Sequence, residues 1–203
     1  MSRQRRGPRA SVPAYPGRVR IIAGRWRGRY VDVLDEPDLR PTGSRIRETL
    51  FNWLAPAIDG ARCLDLFAGT GVLGLEAASR GAAEVVVVDQ DLRKVRHIAA
   101  EAARLGARSV RVEHAEARSW LARDAGRYDI VFLDPPFRQG LVARCCAALA
   151  QSGRLAEGAL VYVEIEADAD MPEWPGGWRV HREKQAGQVR YLLISTAEQR
   201  GGQ

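Results

Sequence analysis

From Arg62 onward, short apolar runs alternate with helix-like segments, and this alternation limits the possible folds more than any other feature of the chain. Strand-like runs fall at 63–67, 84–89, 110–113, 128–134 and 160–165, and helix-like segments fill the intervals at about 71–80, 91–105, 116–123 and 138–150. Val85-Val86-Val87-Val88 is apolar at every position rather than every second one, the pattern of a strand buried on both faces. Such strands alternating with helices predict an α/β fold, a parallel sheet with helices on each side. Two last runs, 178–183 and 189–195, surround the turn-like Gln185-Ala186-Gly187-Gln188. They predict a C-terminal antiparallel hairpin that completes a seven-stranded, mostly parallel sheet.

A chain of 203 residues, 46% of them apolar, supports one full core and is short for two. Residues 1–17 carry Gly7, Pro8, Pro13, Pro16 and Gly17 without apolar periodicity, and read as a flexible basic arm. Residues 18–56 read as an extension. Val19, Ile21 and Ile22, then Tyr30, Val31 and Val33, flank Gly24-Arg25-Trp26-Arg27-Gly28, which predicts a small N-terminal β-hairpin with a basic, aromatic tip. Thr42 or Ser44 can cap a helix through about Leu54, ended by Pro56. Residues 57–203 form the main domain.

No apolar run approaches the roughly 18 residues of a membrane span, and the N-terminus lacks the apolar core of a secretory signal. A soluble, cytoplasmic chain is expected, with no membrane partner. Cys63 stands alone in an apolar run and Cys145 and Cys146 are neighbours, a pattern that provides neither a disulfide framework nor paired zinc ligands. His97, His114 and His181 are scattered. No metal is expected.

The net charge of +6 is unevenly placed. Up to Arg29 there are nine arginines and no acid, so the remainder of the chain carries −3. A segment of this kind neutralises phosphates and suits a nucleic-acid partner better than a small neutral substrate. A solvated tail shaped by composition bias, in a chain with only two lysines among its 31 basic residues, is the bland alternative, and a transit peptide a third.

Asp65-Leu66-Phe67-Ala68-Gly69-Thr70-Gly71-Val72-Leu73-Gly74 lies where the first strand of the main domain meets its first helix. Gly69 and Gly71 allow a tight turn and close backbone approach, and Gly74 lets helix pack on strand. That spacing alone is shared with NAD sites. Asp65 separates the two readings, because a carboxylate beside the helix N-terminus repels a pyrophosphate and attracts the sulfonium and ammonium of S-adenosylmethionine. Asp89, ending the second strand, can accept both ribose hydroxyls; the alternative is a strand-end or capping carboxylate. Glu116, followed by Ala117, can accept from the adenine amino group, or be a first-turn acid favoured by the helix dipole. The candidate cofactor residues are Asp65, Phe67, Gly69, Gly71, Asp89, Glu116 and Ala117.

The run 128–134 leads directly into Asp134-Pro135-Pro136-Phe137. Ligands of open α/β sheets bind beyond the carboxyl ends of the strands, so this loop faces the glycine-rich one. An aryl amine is a poor nucleophile because its lone pair is delocalised into the ring. The Asp134 carboxylate and the Pro135 carbonyl can hold both amino hydrogens and aim that lone pair, so catalysis is orientation plus stabilisation of developing positive charge. Pro135 and Pro136 stiffen the backbone and remove competing N–H donors, and Phe137 offers a face to a base splayed or flipped out of its stack. A plain strand end followed by a helix start is the competing reading.

At these residues the chain resembles the amino-methyltransferases of the class I, Rossmann-like group. More narrowly, Arg40-Pro41-Thr42, Arg45 to Asn52, Asp65 to Gly74 and Asp134 to Phe137, together with Arg20 to Arg29 and His181-Arg182-Glu183-Lys184, resemble the RsmD family over about residues 18–195. That family methylates the N2 amine of one guanine in 16S ribosomal RNA. The resemblance implies a class I methyltransferase fold and the cofactor S-adenosylmethionine, released as S-adenosylhomocysteine. It implies a partner in 16S rRNA, within the small ribosomal subunit or an assembly intermediate. Asp134, Pro135 and Phe137 would then hold the guanine. Arg25, Arg27, Arg29, Arg40, Arg45 and Arg47 would face phosphates, with Thr42 beside them and Trp26 available to stack on a base. A salt-bridged helix face is the alternative for Arg45, Arg47 and Glu48.

Adenine in DNA or RNA and a protein glutamine amide remain competing acceptors. Glutamine enzymes favour Asn where Asp134 stands, and DNA-adenine enzymes usually add a target-recognition region for which this chain has no room. A non-catalytic RNA-binding protein would keep Arg25 to Arg29 but need not keep an intact Asp134-Pro135-Pro136-Phe137. No feature marks a constitutive dimer interface, so a monomer is expected.

Overall fold

The computed structural model describes residues 17–34, 42–123, 126–137 and 140–196. The predicted arm, apart from Gly17, lies outside the described residues, as does Arg40. A hairpin comes first, β1 (Arg18–Arg20) against β2 (Tyr30–Asp32), followed by α1 (Ser44–Leu54). Then β3 (Arg62–Asp65), α2 (Val72–Ser79), β4 (Glu84–Asp89), α3 (Leu92–Leu105), β5 (Val110–His114), α4 (Ala117–Arg123), β6 (Tyr128–Leu133), α5 (Leu141–Ser152) and β7 (Leu155–Glu166) alternate, and β8 (Arg179–Ala186) and β9 (Val189–Ser195) follow.

The seven strands β3 to β9 form one sheet in the order β5-β4-β3-β6-β7-β9-β8. Only β9 runs against its neighbours, so the expected parallel sheet with a C-terminal hairpin is what forms. Successive side chains of a strand point to opposite faces, and β4 shows the consequence. Val85 and Val87 enter one core and Val86 and Val88 the other, all fully buried. Strand order departs from β3 in both directions, β4 on one side and β6 on the other, and this switch point opens a crevice beyond the strand ends.

Some boundaries differ from expectation. β7 begins at Leu155, five residues early, because Leu155 pairs with Tyr128 across a register shift that the polar Glu157-Gly158 disguises in sequence. α1 takes Gly43 as its N-cap with no side-chain bond, so neither Thr42 nor Ser44 caps it. The Thr42 hydroxyl is used elsewhere.

The N-terminal hairpin is not a separate layer. Ile21, Trp26 and Val31, with Leu50, Phe51 and Leu54 of α1, belong to the same core as one face of the sheet. Its loop docks on α2 through the backbone: Ile22 and Ala23 donate to the Glu76 carboxylate at 2.8 and 3.0 Å, Arg25 N–H to the Ser79 carbonyl at 2.7 Å, and Trp26 N–H to Ser79 Oγ at 3.0 Å. Gly24 is required at this approach, since a Cβ there would lie 1.9 Å from the Ser79 carbonyl oxygen and φ is +79°. Glu76, fully buried, also accepts from Arg47 at 3.4 Å and Arg80 at 2.9 Å. A buried charge is retained only when paired and bonded in this way, and breaking such a pair costs about 3–5 kcal/mol.

Candidate active site

The loop after β3 has the backbone its glycines predict. Gly69 and Gly71 take φ of 53° and 73°, Gly71 forms the N-cap of α2, and a Cβ at Gly74 would lie 2.7 Å from Val87 on β4. Asp89 ends β4 and organises this loop: one oxygen accepts from Gly69 N–H at 2.9 Å, the other from Asp91 N–H at 2.8 Å. Each carboxylate oxygen keeps a second lone pair for a hydroxyl.

Asp65 sits beneath the loop, 1% exposed, and neither of its oxygens has a hydrogen-bond partner. Burial pushes its carboxyl up to about 7; the Gly74 and Phe67 amides, near it but not at hydrogen-bond geometry, oppose this, and the Asp89 carboxylate adds to it. A cation beside a buried carboxyl without a partner favours its ionised form. An orphaned acid below a glycine cradle therefore fits a positively charged cofactor such as S-adenosylmethionine, and it does not fit a pyrophosphate.

Glu116, like Asp89, bonds backbone amides with both oxygens, and it is exposed. Both oxygens are engaged at the start of α4, accepting from Arg118 N–H at 3.0 Å and Ser119 N–H at 2.8 Å. Burial pushes this carboxyl up, but those two bonds outweigh it and hold it below the ordinary range. Glu116 thus serves the helix start, close to the alternative of a first-turn acid favoured by the helix dipole, but one residue before α4 begins. Ala117 is buried in the core beneath, and Phe67 is half-buried against it.

β6 delivers Asp134-Pro135-Pro136-Phe137 to the same end of the sheet. Phe137 is 39% exposed, unusual for so large an apolar ring, while Pro135 is buried. A cavity of about 520 Å³ opens beside the loop, lined among others by Pro135, Phe137, Leu141, Glu164 and Ile165. The Asp134 carboxyl accepts from the Thr42 hydroxyl at 3.3 Å. Burial pushes it well above the ordinary range, and the Glu164 and Asp65 carboxyls push it further. β3 and β6 pair in parallel with Asp65 against Phe132, so the two loops leave neighbouring strands at the same end of the sheet.

Two expectations for the basic region are corrected. Trp26 is 4% exposed and packs in the core, so its indole presents no face to a base; docking of the hairpin loop on α2 turns it inward. Arg47 is 2% exposed and bonds Glu76, the Arg20 carbonyl and the Thr42 carbonyl, so it faces the interior rather than phosphates. Arg25, Arg27, Arg29 and Arg45 are exposed and make no ion pair among the described residues. Thr42, expected near RNA, bonds Asp134. Glu164 and Tyr162 went unrecognised. Their signal was a single acid within the apolar run of β7, just as Glu76 is the single charge in α2.

The sheet order, the glycine-rich loop at its switch point and an acid-Pro-Pro-aromatic loop beside it define a class I methyltransferase. The family described as Conserved hypothetical protein 95 matches residues 19–195, and the chain belongs to that family, the one its motifs resemble as RsmD. A relative from Escherichia coli (strain K12) named "Ribosomal RNA small subunit methyltransferase D" is 49% identical over 183 residues, 90% of this chain and 92% of the relative. One of the same name from Haemophilus influenzae is 40% identical over 186 residues, 90% of this chain and 96% of that one. Among solved structures, yhhF from Escherichia coli superposes with a TM-score of 0.84 at 46% identity, covering 90% of this chain and 100% of that one.

Proposed function

We propose that this enzyme moves the methyl group of S-adenosylmethionine to the exocyclic N2 amine of a guanine in 16S rRNA, in the small ribosomal subunit or an assembly intermediate. The observation that carries the reading is the parallel pairing of β3 with β6 at the switch point, Asp65 against Phe132, from which the glycine-rich loop and the Asp134 loop leave neighbouring strands at the same end of the sheet. The names of the relatives support ribosomal RNA of the small subunit as the substrate. Guanine N2 rests on the resemblance to the RsmD family.

When bound, the cofactor supplies an electrophilic methyl group on a sulfonium. The chain does the rest. Asp65, Gly69, Gly71 and Asp89 would hold the cofactor, with Asp65 ionising as the cation arrives. Asp134 and the Pro135 carbonyl accept the amine hydrogens and turn its lone pair outward, and the exposed Phe137 ring supports the base. Arg25, Arg27, Arg29 and Arg45, with Arg40 from outside the described residues, supply sequence-independent phosphate contacts that hold the RNA in register.

Labelled methyl transfer to unmodified 16S rRNA, assembled small subunits, DNA and protein in parallel, followed by nucleoside mapping, tests this. Label in N2-methylguanine from RNA or subunits is expected. Label in methyladenine, or in protein glutamine, overturns it.

A further inference from the structure

The cavity beside Phe137 is distinct from the cofactor cradle. None of Asp65, Gly69, Gly71 and Asp89 lines it, and it opens between the Asp134 loop, the start of α5 and the end of β7. Its described lining includes four acids, Glu164, Glu166, Asp168 and Asp170, and no lysine or arginine. A wall of that charge repels phosphate and accepts hydrogen bonds. The volume of about 520 Å³ is that of a small-molecule site, and Phe137 and Pro135 give it an apolar flank. The group that fits is a planar, uncharged ring with N–H donors along one edge.

Asp168 and Asp170 stand at the exposed rim, whereas Glu164 is 4% exposed and set within the apolar run of β7. β6 and β7 pair in parallel, Leu133 against Val163, so Asp134 and Glu164 are the next residues on neighbouring strands. Both reach the same end of the sheet from adjoining positions. Glu164 Oε1 accepts from the Tyr162 hydroxyl at 2.7 Å. Burial pushes the Tyr162 phenol well above its ordinary range, so it keeps its proton and stays a donor. Burial pushes the Glu164 carboxyl up as well, and the Tyr162 hydroxyl opposes this by favouring the ionised form. A carboxylate offers about four acceptor positions, so the bond from Tyr162 fixes the side chain and leaves it able to accept again.

We propose that Glu164 is a specificity-determining residue that accepts the N1–H of the target guanine while Asp134 and the Pro135 carbonyl hold the neighbouring N2 amine. This rests on the methyl-transfer reading above. N1–H and the N2 amine adjoin on the Watson–Crick edge of guanine and both are donors, so acceptors on adjoining strands match that edge. Adenine and cytosine present a bare ring nitrogen beside their amine, and its lone pair would face the carboxylate. A buried acceptor left without a donor is costly, so the site rejects both bases although each offers an exocyclic amine to the same loop.

2-Aminopurine separates the two contacts, because it keeps the N2 amine of guanine and has a bare N1. Single-turnover methyl transfer is measured on 16S rRNA carrying either base at the guanine that nucleoside mapping of the wild-type product identifies. The wild type is expected to methylate the 2-aminopurine RNA at least about 100-fold more slowly. A glutamine can turn its amide N–H toward a bare N1. Glu164→Gln is therefore expected to slow the reaction on guanine at least about tenfold and to shrink the discrimination below about tenfold, with calorimetric S-adenosylmethionine affinity within about threefold of wild type.

Wild-type discrimination below about tenfold overturns the proposal without any variant. So does an equal loss on both RNAs in Glu164→Gln, which makes Glu164 a packing residue only. Where Glu164→Gln does not fold, Tyr162→Phe frees the carboxylate from its anchor and is expected to reduce the discrimination at least about tenfold; unchanged discrimination then overturns the proposal. In each of these cases wild-type methylation of the guanine RNA leaves the methyl-transfer reading standing. Label in no guanine of any RNA overturns both.

Discussion

Replacing Asp65 with Asn removes a buried carboxyl whose two oxygens both lack a hydrogen-bond partner, while keeping the side chain's shape. The carboxyl moves from its ordinary 3.8 to about 7 on folding, a span that corresponds to about 4 kcal/mol. The folded chain prefers the neutral acid. Its contribution to stability is therefore complete below the unfolded value and is lost as pH rises through about 7. Between pH 5 and pH 8 the wild type is expected to lose about 3 kcal/mol relative to Asp65→Asn, which carries no proton to lose. In a chain of this size that is about 6–12 °C in Tm, read by circular dichroism at the two pH values. A difference between the proteins that stays constant with pH refutes the reasoning. The same substitution is expected to weaken S-adenosylmethionine at least about tenfold in calorimetry, through loss of the paired charge. Near pH 7 the wild-type binding enthalpy is expected to vary with the ionisation heat of the buffer, because the arriving cation expels the Asp65 proton. Retained affinity in Asp65→Asn assigns that carboxyl a structural role only.

Asp134→Ala is expected to abolish methyl transfer while cofactor affinity stays within about tenfold; near-normal turnover would sink the mechanism. Glu76→Gln strands the buried Arg47 and weakens the acceptor for the Ile22 and Ala23 amides, so urea unfolding is expected to report a loss of about 3–5 kcal/mol, with Trp26 fluorescence exposing the hairpin first. A shift below about 1 kcal/mol contradicts that role. Charge removal at Arg25, Arg27 and Arg29 together is expected to weaken RNA binding and reduce the slope of log affinity against log salt by up to about 2–3, leaving the Tm unchanged. An unchanged slope moves the RNA surface elsewhere.

Much of the fold was legible in the order of residues. The unbroken valines of β4 signal burial on both faces, and the two cores claim them alternately. The glycines after β3 adopt the positive φ their spacing implies, and Asp134 to Phe137 stand at the end of β6 as the strand pattern requires. These features are local: hydrophobic period and turn chemistry act over a few residues, so a linear reading captures them. Trp26 and Arg47 show where that reading stops. Both lie in an arginine-rich stretch that suggests a wet, basic surface, yet one is packed in the core and the other paired with Glu76, 29 residues further along.

What the order of residues determined by itself was therefore the class of fold and the two loops proposed to hold cofactor and target amine, each built from contiguous residues. Tertiary structure alone decided which charges are buried and what they meet. Thr42 reaches Asp134 across 92 residues of chain, and the Glu164 carboxyl on β7 raises Asp134 further. No periodicity records such a meeting. It exists because the hairpin and α1 dock on the face of a sheet whose strands cross over, and that docking brings a hydroxyl and carboxyls from distant segments into one site.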